Sequence, residues 1–319
     1  MLAYIDWQPS LELFGVLRWY SLMWCIGLLA AYVIVHKTYR QQLIPEEKFE
    51  PLFFYCFIGT LVGARLGHCL FYEPSYYLGS MRGFIEMFIP IRYTDEAMTD
   101  WKFTGYEGLA SHGGTIGIIL MMMLYAHNCK VKVFTVIDNV ALAVPFVACC
   151  IRLGNLMNSE IIGNPTSMPW GFIFHTREAL VDGQLVPRHP AQLYEAIAYL
   201  VIFFVQFYIY KKHDLPLYPK KTDGNKSSTS VFKADKGDKD NATAKMLEIA
   251  EKKSFIGKGF YFGFTIATIF FFRFFVEFLK KEQVDFEKGM ALNMGQLLSI
   301  PFVILGSWLI WRAIKNVKK

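Results

Sequence analysis

Charge is scarce in this chain. Only 19% of its 319 residues are Asp, Glu, Lys or Arg, where a soluble domain carries about 25%. With 54% hydrophobic residues, the shortfall excludes an ordinary water-soluble globular protein and points to one built for lipid. Cysteine is sparse too. Cys25, Cys56, Cys69, Cys149 and Cys150 lie in apolar runs, and Cys129 sits in a short Lys-containing loop. No spacing among them suits a disulfide framework or a zinc site, so they read as small apolar fillers. The opening MLAYIDWQPSLELFG lacks a basic n-region and carries Asp6 and Glu12. The first apolar segment is therefore expected to stay in the mature protein. There is no GxSxG elbow, no Walker loop, and no set of His and carboxylates on one plausible helix face. No metal site is expected.

What the chain has instead is long apolar runs. A spanning helix needs about 20 mostly apolar residues. Segments 17–36, 51–72, 112–128, 134–151, 190–210, 257–278 and 296–313 qualify. The expected fold is all-α and integral to the membrane, with about seven transmembrane helices in a single polytopic domain, 1–319.

Basic residues set the direction. The side holding 36–50, 127–133, 211–258 and 312–319 has 21 Lys and Arg, against 10 on the side of 1–18, 73–111, 152–190 and 279–295. Twelve of the 21 lie in one long loop, but Asp6 and Glu12 before the first span and Lys37 and Arg40 after it point the same way. The N-terminus is expected outside and the C-terminus in the cytoplasm. Segments 73–111 and 152–190 become extracytoplasmic and form a small cap. In it, 76–93 suits an interfacial position, and 169–176 with 182–190 suits a hairpin around Asp182-Gly183. Segment 211–258 reads as a flexible basic cytoplasmic loop, because 219–246 has almost no large apolar residue to bury.

Ionisable residues inside spans are costly and mark candidate sites. Arg65 interrupts the second span, Arg152 ends the fourth, and Arg273 and Glu277 interrupt the sixth at a spacing that allows pairing. Tyr20 opens the first span and His112, with Gly113 and Gly114, the third. Arg188, His189, Gln192, Tyr194 and Glu195 open the fifth. With the N-terminus outside, all fall in the outer half of the membrane. Independent structural pairs would scatter with depth; a shared outward-facing cavity would not. Three arginines exceed what one glutamate neutralises. An anion is the economical partner, and the planar donor fork of Arg suits phosphate. Patterning alone thus reaches an anionic-lipid site in the outer half of the bilayer, catalytic or not.

The stretch RLGNLMNSEIIG, Arg152 to Gly163, carries the identification further. It resembles the signature G-R-x-G-N-F-x-N-x-E-x-x-G of the prolipoprotein diacylglyceryl transferase family, with Ile151 in place of Gly and Leu156 in place of Phe. LRWYSLMWCIG, GARLGHCLFY, SHGGTIG, RHPAQLYEA, FRFFVEFLKKE and MGQLLSIP resemble further family motifs, in the family's order. The resemblance implies transfer of a diacylglyceryl group from phosphatidylglycerol to the lipobox cysteine thiol of a prolipoprotein, at a bacterial inner membrane, with loss of glycerol phosphate. It implies no cofactor and no nucleic-acid partner. Arg152 and Arg273 become the phosphate-handling residues, and His112 or Tyr20 the candidate base. Asn155, Asn158, Glu160 and Gly163 shape the headgroup site, and Glu277 orients Arg273. Arg65, Gly113, Gly114, Arg188, Gln192, Tyr194 and Glu195 support it. The family often has a Tyr shortly before the sixth-span arginine; here Thr268 to Phe272 offer no phenol.

Two other classes compete. A transporter of anionic lipid should carry polar residues through the full depth and often an internal repeat, and neither is evident. A catalytically inactive scaffold would have no reason to keep the motif set.

Overall fold

Each apolar run becomes a helix, because a chain in lipid must satisfy its own backbone groups. The computed structural model describes residues 4–10, 12–13, 17–95, 97–104, 108, 110–218, 236–280 and 292–318, without the side chains of 111, 112, 236–244, 294 and 318. Its first half holds β1 (Ile5–Trp7), β2 (Glu12–Leu13), β3 (Leu17–Arg18), α1 (Trp19–Gln41), α2 (Glu46–Phe71), α3 (Pro74–Gly79), α4 (Met81–Phe88), β4 (Ile91–Tyr93), β5 (Trp101–Phe103) and α5 (Ser111–Asn128). Then come α6 (Val133–Ala141), α7 (Val144–Met157), β6 (Phe172–Phe174), β7 (Leu180–Val181), β8 (Gln184–Leu185), α8 (Ala191–Ile209), α9 (Lys236–Lys253), α10 (Phe260–Val276) and α11 (Met294–Lys318).

Among the described residues α1, α2, α8, α10 and α11 are long and apolar enough to cross a membrane, and α6 with α7 makes a sixth if that pair, bent by 43°, is one broken span. The break falls before Pro145, whose ring nitrogen cannot donate to the preceding turn. Helix α5 occupies the remaining expected segment, so seven runs correspond to seven helical stretches with the fourth broken. Leu29, Val33, Phe54, Phe57, Ile197, Val201 and Phe204 are exposed on these helices, as lipid contact requires.

The chain divides into two compact units, Ile44–Val136 and Met1–Leu43 with Ile137–Lys319. In the first, α2 and α5 touch backbone to backbone. Gly59, Gly63 and Gly67 on α2 meet Gly113 and Gly117 on α5, the four-residue spacing of small residues that lets membrane helices approach closely. A Cβ at Gly63 would lie 2.5 Å from the Gly113 carbonyl oxygen, and one at Gly67 2.6 Å from Gly113 Cα. Arg65 on the same helix is buried. Its Nη2 donates to Glu86 O at 2.6 Å and its Nε to Met87 O at 3.2 Å, while its guanidinium lies 5.0 Å from the Tyr77 ring centroid. Arg65 thus supplies donors to the last carbonyls of α4, a tie within this unit rather than the anion contact its position suggested.

Glu86 completes that tie. Its carboxylate accepts from the Tyr76 hydroxyl at 2.5 Å, the Tyr93 N–H at 2.8 Å and Arg82 Nε at 3.1 Å. Burial pushes its pKa up, but these donors outweigh it and hold the carboxyl below its usual range. The other face of α4 exposes Met81, Phe84 and Phe88. β4 then pairs antiparallel with β5, Ile91 opposite Phe103.

In the second unit α1 packs on α7, α7 on α8, α8 on α10 and α10 on α11. The start of α10 is clamped by two buried aspartates. Asp138 of α6 accepts N–H groups from Gly257 at 2.9 Å, Gly259 at 2.8 Å and Phe262 at 3.0 Å. Asp214 accepts the N–H of Phe255 at 2.7 Å and the hydroxyls of Ser254 and Tyr261. Gly257 and Gly259 both have φ of 84°, left-handed backbone that glycine adopts without steric cost. Carboxylates at a helix N-terminus satisfy its unpaired N–H groups and its dipole. This end of α10 is fixed, which fixes the azimuth of Arg273 at the other end.

The small strands differ from expectation in one respect. Asp182-Gly183 does make a hairpin, but between the two-residue strands β7 and β8, with φ of 49° and 78° at the turn as a type I′ turn demands. Phe172–Phe174 pairs parallel with β1, Ile5 opposite Phe172, where its buried phenylalanines pack with Trp7 and Leu156, and it meets the expected segment 182–190 at one antiparallel bridge, Phe172 to Arg188. The basic segment 211–258 also departs from an unstructured loop. Residues 236–253 form α9, whose good helix formers Lys, Glu and Ala include a Glu248–Lys252 pair at 2.8 Å, and Ala250 is buried. Residues 219–235 of the expected loop lie outside the described residues.

Gly113 and Gly114, adjacent in sequence, are expected to respond oppositely to substitution. Gly113→Ala drives a methyl into the backbone of α2 and lowers stability by about 1–3 kcal/mol or more. Gly114→Ala meets only ordinary contacts at 3.4 Å and is nearly neutral. Thermal unfolding of both variants in detergent decides; equal melting temperatures contradict the close approach. Glu86 adds a pH dependence. Its folded pKa is depressed, so its contribution is present above the ordinary carboxylate range and lost as pH falls through the depressed value. Acid unfolding followed by the fluorescence of Trp101 should weaken in pH sensitivity in Glu86→Gln.

Candidate active site

Helix α7 ends inside the polar stretch, and its ending builds the site. Asn158 is the C-cap residue, and its N–H still reaches Gly154 O at 3.1 Å. Ser159 and Ile161 then take φ of 55° and 58°. Left-handed backbone at non-glycine residues is uncommon and strained, and such strain collects at functional sites. Arg152 and Asn155 lie on α7, and Ser159 lies past its end. The turn folds Glu160 back over the helix end. Its carboxylate accepts from Asn155 Nδ2 at 2.9 Å and Asn158 Nδ2 at 3.1 Å, and its N–H bonds Asn155 O at 3.0 Å. The three polar signature residues are thus one hydrogen-bonded group.

Gly163 closes the segment. Its N–H donates to His189 O at 3.0 Å, its carbonyl accepts Arg188 Nη1 at 3.1 Å, and it bridges Lys280 antiparallel. A Cβ there would lie 2.5 Å from His189 O and 2.8 Å from Leu279 O, so only glycine fits. Arg188 is 2% exposed and also bonds Ala179 O at 2.9 Å; it braces the loop. His189 Nδ1 lies 3.1 Å from the Tyr194 hydroxyl, which also accepts from Trp170 Nε1 at 2.8 Å. Burial holds the His189 imidazole below its ordinary pKa, so it is neutral at physiological pH. Gln192, fully buried, donates through Nε2 to Glu160 O.

Beneath this frame lies a buried chain of four charges. Arg152 Nε is 3.1 Å from Glu195 Oε2, Lys280 Nζ is 3.1 Å from Glu195 Oε1, and the same Nζ is 3.0 Å from Glu277 Oε2. Glu195 has no exposed side-chain surface, Lys280 has 3% and Arg152 has 14%. The Tyr199 hydroxyl donates to Glu195 Oε1 at 3.2 Å. It interacts with Arg152 and lies within electrostatic reach of Arg273. A buried phenol therefore stands in the cluster although Thr268 to Phe272, just before Arg273, contain none.

The anticipated Arg273–Glu277 pair is not made. The chain tightens from α-helix to a 3₁₀ turn at Glu277–Leu279, which brings Lys280, three residues on, over the carboxylate. On its other side Glu277 rests against Gly295 of α11, where a Cβ would fall 2.6 Å from Oε1. Half-buried Arg273 has no hydrogen bond or ion pair among the described residues. Tyr20, half-buried, packs on Gly154, where a Cβ would meet its Cδ2 at 2.9 Å.

The second unit therefore assembles Tyr20, Arg152, Asn155, Asn158, Glu160, Gly163, Arg188, Gln192, Tyr194, Glu195, Arg273 and Glu277 from α1, α7, α8, α10 and the loop after α7. Arg65, Gly113 and Gly114 belong to the other unit, as does His112, whose side chain lies outside the described residues. Sequence reading missed Lys280 and Tyr199. Lys280 follows a span in a Lys-Lys-Glu run that looks like solvated flank, and Tyr199 is one aromatic among many. The four-residue step from Glu195 to Tyr199 was the one signal for the latter. Chemically, the site offers Arg152, compensated by Glu195, Arg188, spent on backbone carbonyls, and Arg273, without a carboxylate among the described residues, in apolar surroundings where a fixed cation strongly stabilises an anion.

Comparison with known proteins shows what the chain resembles. The model of the family described as Prolipoprotein diacylglyceryl transferase matches residues 10–232 and 242–312. Several proteins named phosphatidylglycerol–prolipoprotein diacylglyceryl transferase are similar along nearly their whole length. One from Bacteroides fragilis is 48% identical over 310 residues, 96% of this chain and 94% of the relative. One from Porphyromonas gingivalis is 37% identical over 98% of this chain and 96% of its own, and one from Tolumonas auensis 34% over 91% and 88%.

Removing the central carboxylate tests the cluster. Glu195→Gln leaves two buried cations with one carboxylate between them and should destabilise by about 3–5 kcal/mol, read as a lowered melting temperature in detergent. Glu160→Gln, on an exposed carboxylate, should change it by about 0.5 kcal/mol or less. Equal effects contradict the assignment of Glu195 as the hub.

Proposed function

The chain belongs to the prolipoprotein diacylglyceryl transferase family, and we propose a site and a course for the reaction it catalyses. It is a multi-pass membrane transferase that moves the diacylglyceryl group of phosphatidylglycerol to a prolipoprotein. The acceptor is the thiol of a lipobox cysteine. The sulfur attacks the diacylglyceryl carbon that carries the phosphate ester. The carbon–sulfur bond forms as the carbon–oxygen bond breaks, and the electron pair leaves with glycerol phosphate. The thiol proton passes to a base.

Arg273 carries the reading. It is a cation among apolar residues with no carboxylate partner among the described ones, and the charge that grows on the departing phosphate is what such a cation stabilises. Arg152, held by Glu195, presents the rest of its guanidinium to the same phosphate. Asn155, Asn158 and Glu160, bonded to one another, shape the surface for the glycerol headgroup, and Gly163 lets the flanking strands close on it. Glu277, Arg188, Gln192, Tyr194 and Glu195 support this frame. His112 or Tyr20 takes the thiol proton; the case for His112 rests on its SHGG motif. Thiolate is the better nucleophile, and a positive field lowers the thiol pKa.

The whole chain acts as one polytopic domain in the bacterial inner membrane, N-terminus outside and C-terminus cytoplasmic. Segments 73–111 and 152–190 then form an extracytoplasmic cap, which puts the site where secreted prolipoproteins arrive. The surplus of Lys and Arg on 211–258 supports a cytoplasmic place for it.

The decisive assay mixes the purified protein with phosphatidylglycerol and a lipobox peptide, and follows peptide mass and glycerol phosphate together. Both should appear in equal amounts. Arg273→Ala and Arg152→Ala should each reduce the rate by about 10²–10³-fold or more with the melting temperature nearly kept. Near-native rates in either variant would remove that arginine from the phosphate site. Deleting 222–234 should leave the rate within about twofold, as a surface insertion does; a severe loss contradicts a linker.

A further inference from the structure

Lys280 lies between two glutamates, one of which stands four residues after Arg273. Helical side chains at that spacing are neighbours and pair readily, and inside an apolar environment the attraction is strong. Glu277 is thus the natural partner of Arg273, yet its Oε2 lies 3.0 Å from Lys280 Nζ. Three features hold it there. The 3₁₀ turn at Glu277–Leu279 brings Lys280 over the carboxylate. Lys280 is anchored by its own backbone, since it bridges Gly163 and Asn164 N donates to Leu279 O at 2.7 Å. Glu195, fixed by Arg152 and Tyr199, holds the ammonium from the far side at 3.1 Å. Arg152, Lys280, Glu195 and Glu277 together carry no net charge, so the cation of this cluster left without a carboxylate among the described residues is Arg273.

We propose that Lys280 is a positioning residue that captures Glu277 and so keeps the Arg273 guanidinium free for the phosphate of the lipid substrate. This rests on the assignment of Arg273 to that phosphate. If Lys280 were neutral, Glu277 would have two choices: remain as an uncompensated buried carboxylate, which is costly, or turn to Arg273 and neutralise it. The second is the cheaper state, and it removes the charge that the departing phosphate needs. Lys280 would then act on the reaction without touching the substrate.

The test is a double-mutant cycle on the full-length protein in mixed micelles of detergent and phosphatidylglycerol, with a lipobox peptide as acceptor. Lys280→Met should lower kcat/KM by about 10²-fold, a typical cost of misplacing one reacting contact. Lys280→Arg should keep most activity. In the Glu277→Gln background, Lys280→Met should cost about fivefold or less, since no carboxylate is left to capture Arg273; coupling of this kind is the signature of a shared interaction. The KM for phosphatidylglycerol should rise in Lys280→Met and fall back in the double variant. Equal losses in both backgrounds overturn the proposal and make Lys280 a structural residue only. Should Lys280→Met alone fail to fold, the double variant compared with Glu277→Gln still decides: similar rates support the proposal, and an inactive double variant that melts like Glu277→Gln overturns it. Absence of transfer by the native protein, or native rates in Arg273→Ala, would instead refute the phosphate assignment beneath it.

Discussion

A single carboxylate without access to solvent organises this molecule's chemistry. Glu195 binds Arg152 of α7 through one oxygen and Lys280, just past α10, through the other, while Tyr199 donates to it from the next turn of its own helix. Three chain segments thereby meet at one point inside an otherwise apolar bundle. Because each charge was taken out of water, each must find its opposite at short range, and the arrangement tolerates little displacement. The lids of the site follow from it. Lys280 sits where it does because its backbone bridges Gly163, and Gly163 accepts that bridge because it has no side chain.

The same constraint explains why Arg273 matters. Burial usually forces cations into pairs, and here every neighbouring carboxylate among the described residues is already bound. An arginine left in that state has a high affinity for any anion that can enter. On the proposed course a phospholipid headgroup supplies one, and the reaction increases the charge on it as the ester bond breaks. In that proposal ground-state binding and transition-state stabilisation use the same guanidinium, and the second draws more on it.

Distance from the site does not mean irrelevance. Asp138 and Asp214 bind the N–H groups and hydroxyls at the opposite end of α10, which with the Thr265–Gln206 bond and the close approach of Gly263 to Gly306 fixes the rotation of the helix. In the other unit, glycines at four-residue spacing bring α2 and α5 into backbone contact, and Arg65 ties α4 to α2 through two carbonyls. Lipid offers little hydrophobic drive between helices, so shape and buried hydrogen bonds carry specificity.

Sequence alone determined a good deal here. Apolar runs of the length of a bilayer fixed the helices, since lipid leaves the backbone no alternative, and residues 152–163 with the other motifs indicated the family. Depth along the runs grouped Tyr20, Arg152, Gln192, Glu195 and Arg273, which fall in one unit, but grouped Arg65 and His112 with them, which fall in the other. Partners, however, were decided by the tertiary structure. Spacing paired Glu277 with Arg273, whereas a 3₁₀ turn and a bridge to a glycine over a hundred residues away gave it to Lys280. The signature named Glu160 without a partner, whereas two left-handed residues turned it back onto Asn155 and Asn158. Arg65 read as one more cation for an anion, whereas α4 had carbonyls for it. Periodicity reports which face a residue occupies; which of several buried charges it meets there is settled only when distant segments are brought within about 3 Å of each other, the range at which a desolvated charge is compensated.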